Sequence, residues 1–195
     1  MSVHRVGGTV VLMEKFEPLK FLDAIDTHAV THTQMVPTMF VRLLKLPESA
    51  RASYRLSSLR YAIHAAAPCS VPVKRGMIQW WGPVLHEYYG GTEAIGSTAI
   101  DSEQWLRKPG SVGKANWGVL HICDESGREL PAGETGLVYF DGAAQLLGTD
   151  QQHARGGAGR GDRVAARGED RHTVDVRHAG LPELRQAIAR ALAAD

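Results

Sequence analysis

The chain has 195 residues, 44% of them hydrophobic, and a formal net charge of +1. That length suits one domain, or one domain with a tail, and can bury a core; the near-neutral balance gives no electrostatic basis for nucleic acid or an anionic membrane as the main partner. Cys69 and Cys123 fit neither zinc-ligand spacing nor a disulfide framework, no apolar run can span a bilayer, and the opening "MSVHRVGGTVVLME" lacks a signal-peptide pattern, so a reducing cytoplasm is the expected compartment.

In chain order, "GGTVVLM" (7–13) is a short β-branched apolar run and reads as a buried strand. "PLKFLDAIDTH" (18–28) places Phe21, Leu22 and Ile25 on one helical face. "AVTHTQMV" (29–36) reads as a strand, and "PTMFVRLLKL" (37–46) as a helix with Phe40, Leu43 and Leu44 inward. "LRYAIHAAA" (59–67) is again a strand, "VPVKRGMIQWW" (71–81) a helix and "VLHEYYG" (84–90) a further strand. Strands alternating with helices predict an α/β fold with a mostly parallel sheet flanked by helices. The pattern changes after Asp101. Within 117–142, two β runs surround a D-E-S-G turn followed by P-A-G-E-T-G, which predicts an antiparallel hairpin element, with a boundary near Pro109–Gly113.

Composition breaks near Gly142. All six lysines and every Phe, Tyr and Trp precede it, and eight arginines follow it. Without aromatic residues to offset chain entropy, 142 to about 179 reads as poorly packed or disordered. Leu181, Leu184, Ile188 and Leu192 recur at helical spacing, so a C-terminal helix ends the chain in this reading.

In a parallel sheet, loops at the carboxyl ends of strands face the ligand crevice. Two loops stand out by that rule, "HAAAPCS" (64–70) and "YYGGTEAIG" (88–96). Small residues let a flat ligand lie on the backbone, and Tyr89 offers an aromatic face. Gly90 and Gly91 permit close approach. Thr92 adds a hydroxyl, and Glu93 a carboxylate able to hold a divalent cation. This set suits a nucleotide with Mg²⁺; a glycine turn beside a buried tyrosine is the plainer alternative.

The stretch "YYGGTE" (88–93) resembles the Tyr-Gly-x-Thr-Glu signature of the adenylate-forming, AMP-binding enzymes: acyl-CoA synthetases, luciferases and the adenylation domains of peptide synthetases. "THTQMVPTMFVRLLKLPE", "LRYAIHAAAPCSVPVKRGMIQWWG" and "GSVGKANWGVLHICDESGRELPAGETGLVYFDG" are similar, in order and spacing, to the central part of bacterial fatty-acid–CoA ligases. The resemblance implies a partial acyl-CoA-synthetase-like N-terminal domain: an α/β AMP-binding subdomain over 1–110, a β-rich subdomain over 111–142, and an unrelated, atypical tail over 143–195. It implies activation of a fatty or other carboxylic acid by ATP and Mg²⁺ to an acyl-adenylate, then transfer to coenzyme A. It also assigns roles. Ala65, Ala66 and Ala67 lie along the adenine, Tyr89 packs on its other face, and Glu87 and Tyr88 offer backbone polar groups to its amino group. Gly90 admits the nucleotide, Thr92 contacts the α-phosphate, Glu93 binds Mg²⁺, and Val36, Pro37, Ala94 and Gly96 line the acyl channel.

The family also uses a Ser/Thr/Gly-rich loop ending in lysine, a ribose-binding aspartate in a Thr-Gly-Asp context and a C-terminal domain with a catalytic lysine. The chain is expected to begin after that loop, to offer only Asp162 in "GRGD" for the ribose, and to hold no lysine after Lys114. The expectation is therefore a truncated ligase, weak or inactive alone, joined to a tail produced by a change of reading frame. The alternative is a non-catalytic pseudoenzyme or binding fragment. An exposed sheet edge predicts self-association. His28 and His32 lack the acidic partner of a helical metal motif, "RGD" at 160–162 suits no cytoplasmic role, and "GGTEAIG" lacks dinucleotide-fingerprint spacing.

Overall fold

The structure, a computed structural model, describes residues 2–91, 96–124 and 126–141, with two strands at 165–167 and 173–177. After a short helix α1 (Ser2–Arg5) come α2 (Pro18–His28), β1 (His32–Met35), α3 (Pro37–Leu44), α4 (Glu48–Ala52), β2 (Tyr61–His64), α5 (Val71–Trp81) and β3 (Leu85–Gly90). Next are β4 (Ser97–Asp101), α6 (Ser102–Arg107), β5 (Gly113–Trp117), β6 (Val119–Cys123), β7 (Thr135–Asp141), β8 (Ala165–Arg167) and β9 (Thr173–Arg177).

Proline sets three of the helix starts. α2, α3 and α5 each carry one in the first turn, where the missing N–H costs nothing and φ is already helical. Asp101 caps α6 by accepting a hydrogen bond from the Gln104 amide at 2.8 Å. Parallel pairing joins β1 to β2 and β2 to β3; β4 and β5 extend the sheet antiparallel. The expected hairpin is present as β6 and β7, paired from Val119–Asp141 to Cys123–Leu137. The α/β class read from the sequence therefore holds.

Side chains alternate across the sheet as the strand period demands. Ala62, His64, Leu85 and Glu87 turn inward beneath the helices, while Tyr61 and Tyr88 are exposed on the other face. Phe40 of α3 and Trp81 of α5 meet edge to face at 6.2 Å and tie both helices to one core with Leu22, Met77 and Trp105.

Several elements differ from the sequence reading. Residues 7–13 form no strand, and Val11 and Leu12 are exposed; the stretch does not pair with the outer edge of β1, which ends the sheet. The short helix α4, the strand β4 and the helix α6 had no element assigned to them. β5, placed with the hairpin region by composition, pairs with β4 in the main sheet. Inside the segment expected to be poorly packed, β8 pairs with β7, and β9 pairs with both β8 and β5. The expected C-terminal helix over 181–192, and Asp162, lie outside the described residues.

Candidate functional site

Because β1, β2 and β3 run parallel, their carboxyl ends lie side by side; Met35 stands opposite His64, and His64 opposite Glu87. Three candidate segments follow directly from those ends. After β1 come Val36, half-buried, and Pro37, buried at the start of α3. After β2 come Ala65, buried, then Ala66 and Ala67, both exposed. Ala66 has φ +69°, left-handed backbone that a residue with a Cβ seldom adopts. β3 ends in Gly90, and Gly90 and Gly91 are exposed.

The two tyrosines divide between faces. Tyr88 lies on the open face, where its hydroxyl accepts a hydrogen bond from Gln34 Nε2 at 3.5 Å. Tyr89 is half-buried and packs against the cluster around Val112 and Leu120. Gly96 is buried, and a Cβ built there would stand 2.2 Å from the Phe140 ring, so only glycine admits that close approach. Phe140 of β7 thereby joins the hairpin to the end of the signature segment. Thr92, Glu93 and Ala94 lie outside the described residues. Among the described residues, no three His, Cys, Asp or Glu side chains gather as a metal site.

A charged cluster lies directly beneath these loops. Lys74 of α5 is fully buried and donates to Glu87 Oε2 at 2.5 Å. Its ammonium also lies 5.1 Å from the centroid of the Trp105 ring. His64 Nε2 is 3.7 Å from the same Glu87 oxygen, and neither His64 ring nitrogen has a hydrogen-bond partner among the described residues. Burial raises the Glu87 carboxyl and lowers the Lys74 ammonium, and the hydrogen bond between them opposes both shifts. Burial, with the Lys74 charge adding to it, pushes His64 down to about 3, so its ring is neutral at pH 7. Burial chiefly, then Glu87, pushes the Cys69 thiol up to about 12; it is no thiolate nucleophile.

Sequence reasoning did not single out Lys74. The signal was available: positions 74, 77, 78 and 81 of α5 share one helical face, and three of them are Met77, Ile78 and Trp81. A lysine on such a face needs a buried partner.

The sequence pattern of the AMP-binding enzyme family matches residues 1–148. This chain belongs to that family. The AMP-binding chain is 31% identical, over 152 residues, to a probable CoA ligase of Humulus lupulus, covering 76% of itself and 28% of that relative. It is 35% identical over 109 residues to the long-chain-fatty-acid–CoA ligase of Bacillus subtilis, covering 56% of itself and 19% of the relative. ATP-bound MatB from Rhodopseudomonas palustris superimposes with a TM-score of 0.64 at 26% identity, over 87% of this chain and 34% of that one. The chain thus spans about a quarter of the length of the curated relatives it matches. Ala66, Ala67, Gly90 and Gly91 are all exposed, and none of them carries a side-chain atom beyond Cβ.

Proposed function

We propose that this chain is a nucleotide-facing part of an acid–thiol ligase. The enzyme activates a fatty or other carboxylic acid with ATP to an acyl-adenylate and passes the acyl group to the thiol of coenzyme A. One observation carries this reading: the small-residue ledge Ala65–Ala67 and the Tyr89–Gly91 turn stand side by side at the ends of adjacent parallel strands.

The adenine lies on that ledge, with Tyr89 packed on its other face and the polar main chain of Glu87 and Tyr88 toward its amino group. Thr92 donates its hydroxyl to the α-phosphate. Glu93 holds Mg²⁺, which when bound neutralises phosphate charge. Val36, Pro37, Ala94 and Gly96 line the acyl side, and the named substrate of the Bacillus subtilis relative supports an apolar acid. Both cysteines are free, which supports the cytoplasm as compartment. The outer edge of β1 is the surface proposed for pairing with a second copy, and a clean monomer in sedimentation would remove that idea.

Acid-dependent exchange of radiolabel between pyrophosphate and ATP tests the reading. Exchange that requires both a carboxylic acid and Thr92 supports it. A folded chain that binds an acyl-adenylate analogue without any exchange is a binding fragment instead.

A further inference from the structure

Three side chains from three elements meet beneath the site: His64 at the end of β2, Glu87 in β3 and Lys74 in the first turn of α5. His64 and Glu87 are register partners, and the chain leaves them directly for Ala65 and Tyr88. Glu87 is therefore the last buried anchor before the signature turn. Trp105 and Phe40 wall the cluster, the latter edge-on to His64 at 5.2 Å.

The fold has no evident need of charge here. Burying two ions costs much of what their attraction returns, and apolar residues of similar volume are commonly as stable. What an apolar pair does not supply is direction. A hydrogen bond has a preferred distance and angle and so holds the carboxylate, and with it the main chain of residue 87, against Lys74, whereas the hydrophobic effect is non-directional.

We propose that Lys74 and Glu87 are a positioning pair for the nucleotide site: Lys74, through Glu87, fixes the height of the 88–91 turn against the Ala65–Ala67 ledge. This role rests on the reading of the ledge as the adenosine surface. Neither side chain touches the ligand; the pair sets the gap into which the base fits.

The test uses the full chain with an acyl-sulfamoyl-adenosine as probe, measuring Kd by calorimetry and Tm by thermal unfolding. The variants are Glu87→Asp, which keeps the charge but shortens the reach by one methylene, and the double change Lys74→Met with Glu87→Leu. We expect the double variant to melt within a few degrees of the parent, yet both variants to bind at least tenfold more weakly. Amide exchange at 65–67 and 88–91 should quicken in both. Should Glu87→Asp fold and bind with the parental Kd, the positioning role is overturned while the adenosine surface stands. Should the folded parent itself fail to bind, the surface and the positioning role fall together. If the double variant melts early, Glu87→Asp alone decides.

Discussion

Two cores of very different size meet at the signature turn. Among the described residues, twelve buried ones from Leu22 to Trp105 form one cluster beneath the helices, whereas Val112 and Leu120 are the buried pair of the cluster against the hairpin. Tyr89 belongs to β3 of the larger region by sequence yet packs on the smaller core, and Phe140 of the hairpin seals Gly96. One side of the candidate site is thus set by a dense core and the other by a slight one. Regions with few buried apolar contacts open first, so motion at this site is expected from the hairpin side.

The largest expected effect breaks that comparison from the dense side. Phe40→Ala should cost about 3–5 kcal/mol, because it removes an aromatic ring from a site with no exposed surface. Denaturant unfolding should then show loss of both regions together. Leu120→Ala should cost about 2 kcal/mol and leave amide protection in β1–β3 intact. Equal losses in the two variants would mean the cores are one cooperative unit.

Acid should separate the regions next. His64 stays neutral in the fold down to about 3, against 6.5 in the unfolded chain. As pH falls below 6.5 the unfolded state takes up a proton that the folded state refuses, so stability is lost between 6.5 and 3 and is unaffected above. By pH 4 the loss should be on the order of 3 kcal/mol, and His64→Gln should flatten it. The titratable groups facing His64 are Lys74 and Glu87. In the hairpin, hydrogen bonds from Ser126 and then Arg128 hold the Asp124 carboxyl near 2. Its contribution is present above 3.8 and fades only as pH drops through 2. Between pH 6.5 and 4, therefore, near-ultraviolet signals should decay through the helix-covered region alone.

Gly96→Ala sharpens the contact between the cores. The added methyl meets the Phe140 ring, and overpacking of this kind costs about 1–3 kcal/mol. Adding Phe140→Ala should recover part of that loss, a coupling of at least about 0.5 kcal/mol in a double-mutant cycle. Additive costs would mean the two residues do not touch in solution.

Much of this arrangement was legible in the sequence, for identifiable reasons. α2, α3 and α5 were readable because proline marks their starts and apolar residues repeat at 3.6. The ledge and the turn were readable because runs of small residues follow apolar strands. β4 was not, since "STAID" is too short and too mixed to show a period. The apolar run within 7–13 misled because residue type cannot say whether a partner strand exists. Lys74 was hidden because its partner Glu87 lies thirteen residues away in another element, and only the fold brings them together.

The smallest predicted effect concerns the ledge itself. Ala66→Gly should stabilise the chain by about 1 kcal/mol by relieving left-handed backbone at a residue with a Cβ. Thermal unfolding would check it; a destabilised variant would mean that residue 66 does not hold this conformation in solution.

The most direct test of the account is calorimetric titration of the purified chain and of Ala67→Leu with an acyl-sulfamoyl-adenosine. Ala67 is exposed, so the larger side chain should leave Tm unchanged while standing on the ledge. The account predicts saturable micromolar binding by the parent and at least a tenfold loss in Ala67→Leu. A folded parent that does not bind, or a variant that binds as the parent does, would contradict the placement of the adenosine on this surface.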